Sequence, residues 1–148
     1  MERFGTQAAM NVYPPYAAAG VMIDYISDDY SEIRVSMNLH PLNKNYVGTH
    51  FGGSLYSMCD PFYMLILMRR LGNTYIVWDK SATIDFLRPG TGTVSAKFQV
   101  SDQEIAYIKD QVAEKKKIDH VFETQITAED GSVVARLKKV LYVRAMPR

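Results

Sequence analysis

The chain has 148 residues, enough for one domain with a real core, and its 47% apolar and 22% charged residues are the balance of an ordinary globular protein. A formal net charge of +1 excludes the strongly basic surface that nucleic-acid binding requires. The lone cysteine, Cys59, excludes an intrachain disulfide and a thiolate zinc site, and the longest apolar run, Pro61 to Met68, is far too short to span a bilayer.

The N-terminus lacks a charged region followed by a long apolar stretch, so no signal peptide and a cytoplasmic setting are expected. Without a repeat or a low-complexity linker, residues 1–148 read as a single domain. Residues 4–19 read as a short helix interrupted by Pro14 and Pro15. Val21 to Ser27 is expected to be a strand, and Asp28 and Asp29 suit a turn. Glu32 to Leu39 alternates without error, with Ile33, Val35, Met37 and Leu39 on one face of a half-buried strand. A polar loop over residues 40–51 leads into a long apolar segment that Gly72 and Asn73 stop, with Arg69 and Arg70 suited to the negative end of a helix.

Period two returns in Ala82, Ile84 and Phe86 and, after the turn PGTG, in Val94, Ala96, Phe98 and Val100. Ser101 with Glu104 forms a capping-box pattern that opens an amphipathic helix carrying Ile105, Ile108 and Val112 on one face. Two more strands, VFETQITA and SVVARLKKVLYV, flank the hairpin signal EDGS. The adjacent Lys138 and Lys139 interrupt the alternation and predict a bulge or an edge. The sum is α+β, with a mostly antiparallel sheet that needs a cover on one face. The segment of roughly residues 53–71, roughly 28 Å long as a helix, is long and apolar enough to supply it. A sheet wrapped around one long central helix is the expected architecture.

One acid sits inside that helix. The stretch NYVGTHFGGSLYSMCDPFYMLILM, Asn45 to Met68, runs from a loop through Gly52 and Gly53 to Asp60, and an ionised carboxylate among apolar residues is costly unless something uses it. An Asn, a Gly-Gly at a helix start, an acid seven residues on and a strand ending in FLRPG together resemble the hotdog-fold thioesterases. GTHFGGSLYSMCDPFYM and YIVWDKSATIDFLRPG look closest to the DUF4442 branch of that superfamily, from about Tyr30 to the C-terminus. The resemblance implies a hotdog fold, a site shared across a dimer interface, and Asn45, Gly52 or Gly53, and Asp60 as its catalytic set. The phenylacetyl-CoA thioesterase type has His directly before the two glycines; here Phe51 holds that place and His50 lies one residue earlier.

Each part has a chemical reason and a plain structural alternative. Free N–H groups at a helix start can stabilise the oxyanion of an attacked thioester, and glycine lets the substrate come close; the alternative is a tight turn into the helix. Asp60 can serve as general base or nucleophile, or it can cap a second helical piece that begins at Pro61. Asn45 can hold a water or the thioester, or simply be a polar loop residue. Ser57 lies on the same face as Asp60, where it can bond that acid or its own backbone. His50 and Phe51 join the substrate-binding candidates by position, Tyr63 and Met64 as lining of an acyl tunnel, and Arg88 as a partner for coenzyme A phosphates. The plainer reading of Tyr63 and Met64 is core.

These residues predict hydrolysis of an acyl-CoA or other acyl-thioester, with no metal, no cofactor, no nucleic acid and no membrane. A homodimer is expected, with further pairing into a tetramer left open. The alternatives are a non-catalytic acyl-CoA or fatty-acyl binding protein and a hotdog dehydratase or hydratase that uses His50 with Asp60.

Overall fold

Pro14 and Pro15 lie where a missing N–H costs nothing, at the first positions of a helix, so the N-terminal segment divides into α1 (Glu2–Asn11) and α2 (Pro14–Ala19). The computed structural model describes residues 2–147. Strands β1 (Val21–Ile26) and β2 (Glu32–Asn38) follow, then helices α3 (Gly52–Ser57) and α4 (Phe62–Leu71). Strands β3 (Tyr75–Phe86) and β4 (Thr93–Gln99), helix α5 (Asp102–Lys115), and strands β5 (Lys117–Ala128) and β6 (Val133–Ala145) complete the chain. The six strands form one antiparallel sheet in the order β1-β2-β4-β5-β6-β3.

Alternation decides which side chains the sheet buries. Ile33, Val35 and Met37 of β2 and Val94, Ala96 and Phe98 of β4 all face inward and are buried. The sheet wraps around the α3–α4 segment, which is the hotdog arrangement. That segment is not one continuous helix. Pro61 carries no N–H, and the amides before it bond back over only three residues, Cys59 to the Tyr56 carbonyl and Asp60 to that of Ser57. The helix therefore ends at Ser57 and restarts at Phe62. Phe62, Tyr63, Ile66 and Leu67 fill the core, with the Phe62 and Tyr63 rings 5.0 and 5.2 Å from that of Phe98.

The two adjacent lysines mark neither a bulge nor an edge. Strand β6 is internal, between β5 and β3, and its register with β3 slips at Asp79/Ser81 rather than at Lys138 and Lys139. Leu137, Lys139, Leu141 and Val143 all point inward, so the alternation runs straight through the pair. At the outer edge of β1, side chains of α1 occupy the backbone: Gln7 donates to the Ile23 carbonyl, and Asn11 Oδ1 accepts from the Ile23 N–H at 2.7 Å. Among the described residues the opposite edge, β3, has no strand on its outer side. Ser101 Oγ caps α5 by accepting from the Glu104 N–H, while the Glu104 carboxylate turns to His120 instead of back to Ser101. Among the described residues no helix is long and apolar enough to cross a membrane.

Candidate active site

The helix break puts two oxygens in search of donors at one point, the carbonyl and the carboxylate of Asp60. Both are met by Lys139. Its Nζ donates to the Asp60 carbonyl at 2.6 Å, to Asp60 Oδ1 at 3.1 Å and to Asp79 Oδ2 at 2.9 Å, which uses all three ammonium hydrogens. Tyr56, one turn before Asp60, donates its hydroxyl to the same Oδ1 at 3.1 Å. Asp60 does not cap α4, whose N-cap position is Pro61 with no side-chain bond. The Lys139 side chain has 0% exposure, whereas that of Asp60 has 50%, so the cluster is sealed from the sheet side and open at Asp60. Asp60 Oδ2 has no hydrogen-bond partner among the described residues.

Burial and charge act against each other here. Burial alone pulls the Lys139 ammonium toward neutrality, but its bonds and charge pairing with Asp79 and Asp60 overcome this and hold its pKa above the ordinary lysine value. Asp79 is raised above the ordinary carboxylate value because burial outweighs the pairing with Lys139, and the nearby Asp60 charge adds to the rise. Asp79 Oδ1 is buried without a partner among the described residues. Burial raises Tyr56 as well, and its bond to Asp60 works in the same direction. Cys59, next to the cluster, is pushed up to about 12 by burial, so it is a closed thiol.

The other candidates lie at the start of α3. Asn45, His50, Gly52 and Arg88 line a cleft of about 380 Å³ together with Phe86 and Gly90. Asn45 is committed to its own loop, since Oδ1 accepts from the Val47 and Thr49 amides and Nδ2 donates to Thr49 Oγ1 and the His50 carbonyl. His50 is buried with Nε2 2.8 Å from the Gly92 carbonyl. A carbonyl only accepts, so Nε2 bears hydrogen; Nδ1 is buried without a partner among the described residues. The first α3 amides with backbone acceptors are those of Ser54 and Leu55, both bonded to the Phe51 carbonyl, which leaves the Gly52 and Gly53 amides free of backbone partners among the described residues. Arg88 and Phe51 are exposed.

Three remaining candidates sit elsewhere. Ser57 donates to the Ser54 carbonyl, its own backbone, at 3.0 Å. Tyr63 is core: it stacks on Phe122 and donates its hydroxyl to the Glu123 carbonyl at 2.7 Å. Met64 is half-buried against the core. Thus the cleft gathers four candidates, and Asp60 is not among its lining residues. Among the described residues no group of three or more His, Cys, Asp or Glu side chains is placed to hold a metal ion.

Lys139, Asp79 and the hydroxyl of Tyr56 were missed by sequence reasoning. A signal existed. Counting by twos from Leu137 to Val143 places Lys139 on the apolar face, and counting from Val77 places Asp79 there too. A lysine on an inward register demands a buried acid.

The chain matches the family model described as Domain of unknown function (DUF4442) over residues 2–143. No curated protein matches it. Among solved structures it is similar to a Pseudomonas aeruginosa protein of unknown function described as a probable thioesterase, with TM-score 0.83 and 19% identity, covering 95% of this chain and 93% of that one. A Haemophilus influenzae thioesterase matches with TM-score 0.68 and 14% identity over 95% and 89% of the two chains. The E. coli PaaI protein, from the phenylacetic acid degradation operon, matches with TM-score 0.65 and 21% identity over 96% and 91%. Likeness at these identities shows the fold.

Proposed function

We propose that this chain, which belongs to the DUF4442 family, hydrolyses an acyl-thioester, with acyl-CoA as the substrate class and Asp60 as general base. The observation that carries this reading is the Asp60 carboxylate. One oxygen is held by Tyr56 and Lys139, the other has no partner among the described residues, and half the side chain is open to solvent. Water bound at Oδ2 gives a proton to the carboxylate as its oxygen adds to the thioester carbon. The resulting oxyanion is met by the free amides at the start of α3. The C–S bond then breaks, the sulfur leaves with the proton that Asp60 took, and free acid and thiol are the products.

From Gly53 to Asp60 the chain runs through the end of α3 and a tighter 3₁₀-like turn, a rise of at least about 10 Å, so the glycine amides and Asp60 of one chain hardly reach the same carbonyl. The absence of Asp60 from the cleft lining supports the same conclusion. The two halves therefore act across a homodimer, and the open β3 edge is the surface on which a second β3 would pair. A non-catalytic acyl-CoA binding protein is the second reading, favoured by one observation: the Asn45 amide is fully used by its own loop. The hydratase reading finds no support in His50, whose Nε2 is committed to Gly92.

The test is release of free thiol from a panel of acyl-CoAs of different chain length. Asp60→Asn is expected to lower turnover at least about a hundredfold while leaving the fold intact. Binding without thiol release by the wild type supports the second reading. Full activity in Asp60→Asn overturns the assignment of the base. Sedimentation as a stable monomer at micromolar concentration counts against the shared site.

A further inference from the structure

We propose that Lys139 is a positioning residue of this hydrolysis, holding one oxygen of Asp60 so that the other faces the water; this rests on the reading of Asp60 as base. The geometry is specific. A carboxylate on a short side chain at a helix break can rotate and present either oxygen. Here Oδ1 receives two donors, Lys139 Nζ and Tyr56 Oη, both at 3.1 Å, and Oδ2 receives none among the described residues. The same ammonium grips the Asp60 carbonyl at 2.6 Å, so backbone and side chain of one residue are fixed by one group. Asp79 supplies the third contact and holds the ammonium from β3.

A merely structural role predicts something different. If Lys139 only closed the helix break, its bond to the Asp60 carbonyl would suffice. The two carboxylate contacts would then be incidental to turnover. A fully buried lysine is a costly way to satisfy one carbonyl, and removing either charge partner leaves an uncompensated ion. The arrangement is better explained by a need to keep Asp60 in one orientation.

The experiment is a double-mutant cycle on Lys139→Met and Asp60→Asn, with thiol release measured over a range of acyl-CoA concentrations. Lys139→Met keeps the length and apolar stem of the side chain. We expect kcat to fall at least tenfold with KM within about threefold, because an orientation needed only in the transition state is lost. The double variant should lose no more than Asp60→Asn alone, since a holder has no effect once the base is gone. Losses that multiply would overturn the proposal and leave Lys139 structural. Asp79→Asn provides the second variant if Lys139→Met does not fold. It is isosteric, leaves Asp60 untouched, and should lower kcat several-fold with KM unchanged and with the same non-additivity; wild-type kcat in Asp79→Asn also overturns the proposal. A wild type that turns over the panel while Lys139→Met keeps full kcat refutes this role alone. A wild type that releases no thiol from any acyl-CoA refutes the hydrolase reading and this proposal with it.

Discussion

Replacing Gly53 with alanine separates a ligand's need for space from the chain's own. Neither Gly52 nor Gly53 has a positive φ, so the backbone does not require glycine at either position. A Cβ at residue 53 would stand 2.6 Å from Phe51 Cε1, and one at residue 52 would stand 3.1 Å from Phe86 Cζ. Both rings are more than half exposed, at 57% and 55%, so either can turn away. Moving Phe51 off its rotamer costs about 0.5–1.5 kcal/mol. Replacing glycine inside a helix returns about 0.5–1 kcal/mol. The net change should lie within about 1 kcal/mol, which in a domain of this size moves Tm by at most about 4 °C. Activity should respond far more. A methyl group between a thioester oxygen and the N–H that receives it removes one oxyanion donor, worth about a hundredfold in kcat. Thermal melting by circular dichroism and thiol release from an acyl-CoA measure the two effects. Wild-type kcat/KM with unchanged melting would refute the claim that the glycines admit a substrate. A fall in Tm beyond about 8 °C would place the need in packing instead.

Cys59, with its thiol pushed up to about 12 by burial, should resist a thiol reagent at pH 8 in the native protein and react once urea is added; fast native labelling would show that the helix break opens. Asp29 is lowered to about 2, chiefly by the Ser31 hydroxyl, with the Ser31 amide and Ser27 helping. A lowered folded value means that its stabilisation is complete above the ordinary 3.8 and is lost as pH falls toward 2. Asp29 is exposed, so the effect is small and screened by salt. Urea midpoints at about pH 5 and pH 2.5 should therefore differ less in Asp29→Asn than in the wild type, and equal differences would refute the assignment. Met64→Ala, at a half-buried position, should cost about 1–2 kcal/mol and shift preference toward longer acyl chains. The same cost with an unchanged chain-length profile would make Met64 plain core.

Strands β2 and β4 were legible because each carries one dry face, whereas β3 buries no residue fully and its Ala82 and Phe86 are exposed. Ile33, Val35 and Met37 repeat by two, and so do Val94, Ala96 and Phe98, and the sheet buries them as that period demands. The break in the central helix was written in Asp60-Pro61, but the run of apolar residues on both sides reads as continuous, and only the lost Pro61 N–H decides it. Lys139 was hidden by its neighbour. Two lysines together suggest a defect in a strand, whereas one of them follows the inward register and finds its acids. Those acids lie on α3–α4 and β3, distant in sequence, and no local pattern announces such a pairing. Asn45 shows the opposite failure: a residue type with good site chemistry is used up by the turn it sits in.

The divided central helix has a consequence for the order in which the molecule is made. With six residues in α3 and ten in α4, both pieces are shorter than the roughly 12–15 residues at which an isolated helix persists in water. Neither piece is expected to hold its shape before the sheet closes on it. The ammonium that grips Asp60 comes from 79 residues further along, in the last strand. A nascent chain leaving the ribosome thus displays Asp60 long before Lys139 can reach it, with only Tyr56 close by in sequence to hold its carboxylate. The carboxylate gains its fixed orientation only once β6 has been made, so a chain cut short before β6 carries the acid without the grip.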